Sequence, residues 1–348
     1  MAKKPATAAQ LRKLDREIVE LLNRRAAAAC QRSPVAGGVA PPPHAGPLPP
    51  TAIAAIFREL HSGIRAINAP LRVAYLGPEF TYSHLAAIAR FGQSAELVPV
   101  ASIRSVFEEV QRGHADFGVV PIENSTDGRV ADSLECLARA GASPPPASPQ
   151  ICAEVPLRIR HCLLGSGPRT AIRRVCSKPQ ALSQCRNWLA AHLPNAKLEP
   201  TASTAEAAAL AAAHGDTAAV AAEQAAVNHG LEVLARNIED NPENVTRFAV
   251  IGRLAAERTG RDKTSLVFEA PHQPGALADA MAIFKRQRLN LTWIESFPIP
   301  QARGRYLFFV EFQGHASDLR VRRAIASLEK KSLRLVVLGS YAEADVVG

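Results

Sequence analysis

The chain has 348 residues, of which 47% are hydrophobic and 21% are charged, and it carries a formal net charge of +9. This composition excludes a disordered or collagen-like protein, and at about 150 residues per domain the length predicts two or three domains. The longest apolar stretch, around residues 207–213, falls well short of the roughly 20 residues that a bilayer-spanning helix requires, so we expect no membrane segment.

Charge and cysteine placement narrow the functional classes further. Residues 71–263 hold 20 basic and 20 acidic side chains, so the basic excess lies toward the two ends. Over residues 12–25 the basic residues alternate with acidic ones and no aromatic residue interleaves with them, so we expect no nucleic-acid partner. Six scattered cysteines without a C-x-x-C pair predict neither a zinc site nor a redox pair. A charged amphipathic helix stands where a secretory signal would place its apolar core, which favours a cytoplasmic location.

The first part of the chain is predicted to be helical. Apolar residues recur every three or four positions over residues 11–22 and again over residues 53–67, which predicts two amphipathic helices that pack as a hairpin. Between them, residues 33–49 hold six prolines and three glycines. This composition predicts a flexible or extended loop.

Strands and helices alternate in the second part, which begins at Pro70. Predicted strands cover residues 72–76, 117–122, 157–164, 219–222 and 248–252, and predicted helices cover residues 82–91, 105–111 and the segment after Pro179. Residues 141–150, with four prolines, are predicted to form a loop. The alternation predicts an α/β domain with largely parallel sheets and with ligands at the carboxyl ends of the strands.

The third part, residues 264–348, has a different order of elements. A strand, a helix, two strands, a helix and a strand are predicted at residues 265–270, 276–288, 291–295, 305–312, 317–328 and 333–341. This βαββαβ order is the ferredoxin-like arrangement of an α+β domain. Because the exposed edges of such sheets pair readily, we expect a homodimer or a homotetramer.

Five short motifs, in the same order along the chain, resemble those of a known family. They are Gly77-Pro-Glu-Phe-Thr-Tyr-Ser-His84, Gly118-Val-Val-Pro-Ile-Glu-Asn-Ser-Thr126, Ser177-Lys-Pro-Gln-Ala181, Ser203-Thr-Ala-Glu-Ala-Ala208 and Asn244-Val-Thr-Arg-Phe248. Residues 70–256 resemble prephenate dehydratase, residues 264–348 resemble the ACT regulatory domain that follows it, and residues 1–69 resemble a reduced AroQ-type chorismate mutase. The resemblance implies two α/β lobes, similar to periplasmic binding proteins, with prephenate in the cleft.

Dehydration of prephenate expels a ring hydroxyl while carbon dioxide leaves. The enzyme must grip one carboxylate, donate a hydrogen bond to the departing oxygen and offer a weakly solvated place for the lost carboxylate; this chemistry requires no metal or organic cofactor. The resemblance implies a catalytic role for Thr246, whose hydroxyl suits the departing oxygen, and for Glu123, Asn124 and Gln180. It implies substrate binding by further residues of the same motifs, namely Thr81, Ser83, Ser125, Thr126, Ser203, Thr204, Arg247 and Phe248. For Thr81, Ser83 and Ser203 the alternative is a plain helix cap.

The ACT resemblance implies that L-phenylalanine binds the third part as an effector. The two ligand motifs correspond to Gly275, Ala276 and Leu277 and to Asn290, Leu291, Thr292, Glu295 and Ser296. Gly275 suits a close approach of the backbone. The usual family pattern Glu-Ser-Arg-Pro reads Glu-Ser-Phe-Pro here, with Phe297 in place of a cation, which predicts an altered strength or specificity of feedback inhibition.

The mutase-like part departs further from its family. Arg24 aligns with one of the arginines that hold chorismate, whereas Ala8 and Val35 stand where another arginine and a lysine belong, and Ile64 replaces a serine. Loss of several cations around a dianion costs orders of magnitude in rate, so we expect no useful mutase activity. Two other functions stay open: arogenate dehydratase, which shares these motifs, and a non-catalytic amino-acid sensor, which would not need the donor at Thr246.

Overall fold

The computed structural model describes residues 7–30, 43, 45–140, 148–299 and 305–348. Val35 and most of the predicted loops at residues 33–49 and 141–150 lie outside the described residues. The chain forms two compact units, one from residues 1–71 with 90–96 and the other from residues 72–89 with 97–348. Among the described residues, no helix combines the length and the apolar character needed to cross a membrane.

The helices and strands are numbered in chain order. The helices are α1 (Ala8–Cys30), α2 (Pro50–Asn68), α3 (Tyr82–Phe91), α4 (Ile103–Arg112), α5 (Ala131–Ala140), α6 (Pro179–Gln184), α7 (Arg186–His192), α8 (Thr204–Ala213), α9 (Glu223–His229), α10 (Ala276–Arg286) and α11 (Leu319–Glu329). The strands are β1 (Arg72–Leu76), β2 (Glu96–Val100), β3 (Phe117–Asn124), β4 (Gly128–Arg129), β5 (Gln150–Arg158), β6 (Cys162–Gly165), β7 (Arg174–Ser177), β8 (Lys197–Pro200), β9 (Thr217–Ala221), β10 (Glu232–Ala235), β11 (Val245–Gly252), β12 (Asp262–Glu269), β13 (Leu291–Pro298), β14 (Tyr306–Gln313) and β15 (Arg334–Ala342).

The first unit contains the two predicted helices, α1 and α2. A guanidinium nitrogen of Arg25 lies 2.5 Å from Nε2 of His61, and the same guanidinium lies 5.9 Å from the ring centroid of Phe57. The predicted apolar stripe of α1 is more than half exposed at each of Leu11, Leu14, Ile18 and Leu21. The two helices are therefore tied by a cationic contact, while the described residues leave most of the apolar face of α1 uncovered.

Two mixed sheets form the two lobes of the second unit. The first has the strand order β2-β1-β3-β11-β5 with β4 beside β3, and the second has the order β10-β6-β9-β7-β8. The prediction of largely parallel sheets is only partly correct: β1 is parallel to β3 and β7 is parallel to β8 and β9, but β11 is antiparallel to both β3 and β5. The reason is the connection between the lobes, because the chain leaves the first sheet through β5 and returns to it through β11.

The strand predicted over residues 157–164 is broken at this crossing. β5 ends at Arg158 and β6 begins at Cys162. The backbone N–H of Ile159 donates to the carbonyl of Asn244 at 2.8 Å, which ties the outgoing connection to the returning one. Both connections therefore run side by side between the lobes.

Small side chains set the position of α8 in the second lobe. Ala207, Ala208 and Ala211 of α8 pack against Ala219 and Ala221 of β9, and every residue of β9 is buried. Alanine lets helix and sheet approach closely. This packing fixes the N-terminal end of α8, where the Ser203 hydroxyl accepts the N–H of Glu206 at 3.0 Å as an N-cap.

The third sheet has the strand order β13-β14-β12-β15 and, with α10 and α11, shows the predicted βαββαβ order. One face packs on the two helices through Phe268, Phe284 and Phe312. The opposite face belongs to the core of the first lobe, where Phe309 and Tyr341 join the same buried cluster as residues of β3 and β11. The sheet and the first lobe therefore share one hydrophobic core.

Two backbone features bring the third sheet close to β5. A Cβ atom on Gly339 would lie 2.0 Å from the carbonyl oxygen of Ile151, so only glycine admits this approach. Near the end of the chain, the N–H of Arg158 donates to the carbonyl of Val347 at 2.8 Å, and the N–H of Val347 donates to Pro156 at 2.9 Å. The C-terminal residues thus pair with the edge of the first sheet.

Candidate active site

A cleft of about 940 Å³ lies between the first and second sheets. Its walls come from the end of β1 and the turn that follows, the end of β3, the N-terminal ends of α6 and α8, and β11. Eight of the residues predicted for the site line it, namely Thr81, Ser83, Asn124, Gln180, Ser203, Thr204, Thr246 and Phe248. The other four, Glu123, Ser125, Thr126 and Arg247, do not belong to the lining.

Strand geometry separates two of these four from the cleft. Across β3 and β11, Asn124 pairs with Thr246 and Glu123 pairs with Arg247. Successive side chains of a strand point to opposite faces of the sheet. Asn124 and Thr246 face the cleft, whereas Glu123 and Arg247 face away from it and form an ion pair of 2.9 Å. Their roles in the reaction stay predictions, and any such role would be exerted from behind the cleft.

Asn124 orients the hydroxyl of Thr246. Its Oδ1 accepts the backbone N–H groups of Thr126 and Asp127, each at 2.9 Å, which identifies Nδ2 as the atom that donates to Thr246 Oγ1 at 2.8 Å. Because Oγ1 accepts this bond, its own proton points elsewhere. No acceptor for that proton is found among the residues that the structure describes, so Thr246 presents an O–H donor to the cleft.

Asn244 and Gln184 connect this pair to the opposite wall. Asn124 Nδ2 also donates to Asn244 Oδ1 at 3.0 Å, and Asn244 Nδ2 donates to Gln184 Oε1 at 3.0 Å. Gln184 Nε2 then donates to Asp127 Oδ2 at 2.7 Å. Because Gln184 belongs to α6 of the second lobe and Asp127 to the loop after β3, these bonds join the two walls of the cleft.

The hydroxyls of Ser125 and Thr126 serve the same network. They lie 3.4 Å and 3.3 Å from Oδ1 of Asn244, respectively, and the Ser125 hydroxyl also accepts the N–H of Val245 at 2.9 Å. Asn244 is only 1% exposed. In this structure the two hydroxyls therefore support the loop beneath Thr246, and their predicted contact with substrate stays a prediction.

A buried histidine lies at the far end of the network. Nε2 of His161 is 2.9 Å from Gln184 Oε1, and Nδ1 is 3.0 Å from the hydroxyl of Tyr82. Burial lowers the pKa of His161 more than the hydrogen bond with Gln184 raises it, so the ring is neutral near pH 7. Because Gln184 Oε1 is an acceptor, the proton of the neutral ring lies on Nε2. His161 thereby fixes Gln184.

Two cations line the cleft, and their surroundings differ. Arg129 already donates to Glu295 Oε2 at 2.8 Å and to the carbonyl of Ser296 at 3.1 Å. Lys178 is exposed and forms no ion pair with any residue that the structure describes. It lies in the second lobe together with the N-terminal end of α8, where free N–H groups and the helix dipole favour an anion.

Phe248 and Ile103 give the first lobe an apolar wall beside Thr246. Phe248 is 2% exposed and Ile103 is 8% exposed. Such a surface solvates a carboxylate poorly. In the described part of the chain, no three His, Cys, Asp or Glu side chains are grouped so that they could hold a metal ion.

The residues predicted to bind an effector lie on the third sheet and its first helix. Gly275 has a φ of 84° at the start of α10, and Ala276 and Leu277 form the first turn. Asn290 precedes β13, which contains Leu291, Thr292, Glu295 and Ser296. None of them lines the cleft. Glu295 nevertheless forms an ion pair with Arg129, which lines the cleft.

Phe297 lies on the face of β13 that is turned toward the first lobe. It lines a second cavity of about 270 Å³, together with Leu134 of α5, Leu307 of β14 and Arg334 of β15. The aromatic ring of Phe297 is therefore part of the contact between the third sheet and α5.

Sequence reasoning missed several residues of the cleft and its network, among them Asp127, Arg129, His161, Lys178, Gln184 and Asn244. Signals existed for three of them. Asn244 and Lys178 stand inside the matched motifs, and Gln184 follows Gln180 by four positions, which places both on one face of a helix. Asp127, Arg129 and His161 carry no local signal, because their position depends on how distant strands pair.

Comparisons with known proteins agree with the motifs. The family model for prephenate dehydratase matches residues 73–256. The bifunctional chorismate mutase/prephenate dehydratase of Stutzerimonas stutzeri is 41% identical over 301 residues, covering 86% of this chain and 80% of that protein. Its counterpart in Aquifex aeolicus is 36% identical over 356 residues and covers 96% of each chain. The structure of a prephenate dehydratase from Arthrobacter aurescens in complex with L-Phe matches with a TM-score of 0.71 at 36% identity, covering 79% of this chain and 91% of that one.

Proposed function

The chain belongs to the prephenate dehydratase family and converts prephenate to phenylpyruvate, and we propose that Thr246 donates the hydrogen bond to the departing hydroxyl oxygen. One observation carries the proposal. The bond from Asn124 Nδ2 to Thr246 Oγ1, at 2.8 Å, uses Oγ1 as an acceptor and leaves its proton free for the substrate.

The reaction needs a donor rather than a strong acid at this position. The electron pair of the bond to the lost carboxylate moves into the ring, carbon dioxide leaves, and the ring carbon–oxygen bond breaks. Negative charge develops on the departing oxygen, which takes its proton from water. A fixed O–H group stabilises such charge without giving up its own proton.

The two carboxylates of prephenate are assigned to opposite walls of the cleft. We assign the carboxylate that is retained to Lys178 and the N-terminal end of α8, at Ser203 and Thr204, because these groups are charged or dipolar and lie on one lobe. The apolar wall at Phe248 favours departure of the other carboxylate, because a poorly solvated carboxylate loses carbon dioxide more readily than a hydrated one.

The deciding experiment measures phenylpyruvate formed from prephenate by the wild type, Thr246→Val and Thr246→Ser. We expect Thr246→Val to lose about 10²- to 10³-fold in kcat, as does loss of one donor to a developing oxyanion. Thr246→Ser, which keeps the hydroxyl, is the matched control and retains most of the rate. Arogenate is assayed alongside; a folded wild type that turns over only arogenate, or neither substrate, contradicts the proposal.

We propose a regulatory role for residues 264–348. The support is the Arthrobacter aurescens relative, whose structure holds L-Phe and covers 79% of this chain, together with the ion pair that links Glu295 to Arg129 at the cleft. L-phenylalanine is therefore the effector to test. Phe297 stands where the family pattern has an arginine, so the predicted effector motif lacks that cation. We therefore expect a weaker response to L-phenylalanine than in relatives that keep the arginine.

For residues 1–69 we propose an assembly role without useful mutase activity. Arg24 is exposed on α1, and the neighbouring Arg25 is engaged by His61 and Phe57. The exposed apolar stripe of α1 is a surface that a second copy would cover in a homodimer or homotetramer. Chorismate conversion by the wild type that is lost in Arg24→Ala would contradict the first statement. An unchanged oligomer after removal of residues 1–69 would contradict the second.

A further inference from the structure

Five charged side chains form a largely buried ionic cluster behind the cleft: Glu123 of β3, Glu154 of β5, Arg247 of β11, Lys263 of β12 and Glu311 of β14. The guanidinium of Arg247 lies 2.9 Å from Glu123, 2.9 Å from Glu154 and 2.6 Å from Glu311. The ammonium of Lys263 lies 3.0 Å from Glu154 and 3.5 Å from Glu311. The ionic cluster thus joins the third sheet to the strands that carry Asn124 and Thr246.

A contribution to stability does not explain this arrangement. The side chains of Glu154 and Glu311 are 2% and 1% exposed, and buried ion pairs lose about as much in desolvation as they gain in attraction. Burial by itself would raise the pKa of Glu311, but Arg247 and Lys263 outweigh it and hold the pKa below its usual value. Glu311 therefore stays ionised. What the ionic cluster supplies is a defined position for the groups that it joins.

The ionic cluster reaches Thr246 through Arg247, the next residue of β11. The pairing of β11 with β3 shifts register between Arg247 and Phe248, which marks a bulge in the ladder. Thr246 and Arg247 pair regularly with Leu157 and Pro156 of β5, so the bulge concerns only the side of β11 that faces β3, where Thr246 meets Asn124. The next residue of the strand, Arg247, is anchored by its side chain in the ionic cluster, and this anchor lies directly beside the contact between Thr246 and Asn124.

Glu311 also contacts β13, the strand that holds several of the predicted effector residues. Glu311 Oε1 accepts the hydroxyl of Thr292 and Glu311 Oε2 accepts the hydroxyl of Tyr341, each at 2.8 Å. The guanidinium of Arg247 also lies 5.5 Å from the ring centroid of Trp293. Thr292 and Trp293 both belong to β13, so a displacement of this strand changes the partners of both Glu311 and Arg247.

We propose that Glu311 is a positioning residue for the dehydration and the route by which the third sheet governs it. Through Arg247, Glu311 holds Thr246 in register with Asn124, and ligand-induced movement of β13 changes that register. The inference rests on the proposed function, because it concerns the donor assigned to Thr246.

The test compares kcat and KM for prephenate, with and without L-phenylalanine, in the full-length wild type, Glu311→Gln and Glu311→Asp. Calorimetry measures the binding of L-phenylalanine to each. The matched control is Glu269→Gln, because Glu269 is also a carboxylate of the third sheet, is 3% exposed and pairs with Arg305 at 2.5 Å, away from the ionic cluster. Thermal unfolding confirms that each variant is folded at the assay temperature.

We expect Glu311→Gln to lower kcat by about tenfold while KM stays within about twofold, since the donor geometry and not substrate binding is disturbed. L-phenylalanine should still bind this variant but change its kcat less than it changes that of the wild type. Glu311→Asp, which keeps the charge, should recover part of the rate, and Glu269→Gln should keep it. If Glu311→Gln does not fold, Tyr341→Phe, which removes only a hydroxyl that donates to Glu311, is judged by the same criteria.

The inference is overturned if folded Glu311→Gln matches the wild type in kcat or in its response to L-phenylalanine. It is also overturned if Glu269→Gln loses as much kcat, or if saturating L-phenylalanine leaves the wild-type kcat unchanged. These results differ from a failure of the proposed function, in which the folded wild type forms no phenylpyruvate at all.

Discussion

Replacing Asn124 with aspartate would turn one hydrogen-bond donor into an acceptor without changing the shape of the side chain. In Asn124→Asp, the oxygen that takes the place of Nδ2 faces Thr246 Oγ1 at 2.8 Å and Asn244 Oδ1 at 3.0 Å. An ionised carboxylate can only accept. The hydroxyl of Thr246 would then donate to the carboxylate, and its proton would be withdrawn from the cleft.

The size of the effect follows from what the hydroxyl loses. Loss of one donor to a developing oxyanion costs about 10²- to 10³-fold in kcat, or about 2.7–4 kcal/mol. A hydrogen bond to a charged group contributes about 1.5–3 kcal/mol, so the hydroxyl cannot readily return to the substrate. Lys178 and the end of α8 are untouched, and we expect KM to change by less than about threefold.

The assay is the pH dependence of kcat for the wild type and Asn124→Asp. Protonation of the introduced carboxyl restores a donor toward Thr246, so the rate of the variant relative to the wild type should rise as the pH falls toward about 4, the usual range of an aspartate. A double variant with Thr246→Val should be no slower than Thr246→Val alone, because both changes remove the same donor. A variant with wild-type kcat, or additive losses in the double variant, would refute the reasoning.

Three further predictions concern other parts of the second unit. Lys178→Met should raise KM for prephenate by about tenfold with little change in kcat, and Lys178→Arg should restore it; an unchanged KM in steady-state kinetics excludes the assigned carboxylate contact. Burial depresses the pKa of His161, so below about pH 6.5 the unfolded chain binds a proton that the folded chain does not bind. The free energy of unfolding should therefore decrease as the pH falls below about 6.5. Urea denaturation from pH 5 to 7.5 should show a shallower decrease in His161→Gln, and equal slopes would contradict the assignment. Phe297→Ala should lower the free energy of unfolding by about 1–3 kcal/mol, because Phe297 is half-buried against α5; a thermal melt identical to that of the wild type would argue against this packing.

Local patterns in the sequence predicted many of the elements but not their partners, and the strand predicted over residues 157–164 spans the break between β5 and β6. The alternation in β12 to β15 and the apolar periodicity of α10 and α11 predicted the βαββαβ order. The strand now numbered β11 was also predicted, yet its antiparallel direction was not, because period-two alternation reads the same in either direction. The stripe of α1 predicted a helix correctly, but the predicted packing against α2 leaves Leu11, Leu14, Ile18 and Leu21 more than half exposed.

In the candidate site too, the sequence identified residues but not the contacts between them. Asn124 and Thr246 were each identified through a motif, but their hydrogen bond joins residues 122 positions apart and depends on the register of β3 with β11. The outward direction of Glu123 and Arg247 could have been anticipated, because neighbours on one strand cannot both face the cleft. Arg129 and His161 could not, since only the folded lobes bring them to its walls.

The shared core of the third sheet and first lobe limits how this protein can be divided. Phe309 and Tyr341 fill the same interior as the strands of the first lobe, Gly339 lies against the backbone of Ile151, and Val347 pairs with the edge of β5. A recombinant fragment that ends near residue 256 would expose that interior to water and leave Glu154 without Lys263. Exchange of residues 264–348 between relatives, in the laboratory or during evolution, therefore has to carry a matching surface on the first lobe with it.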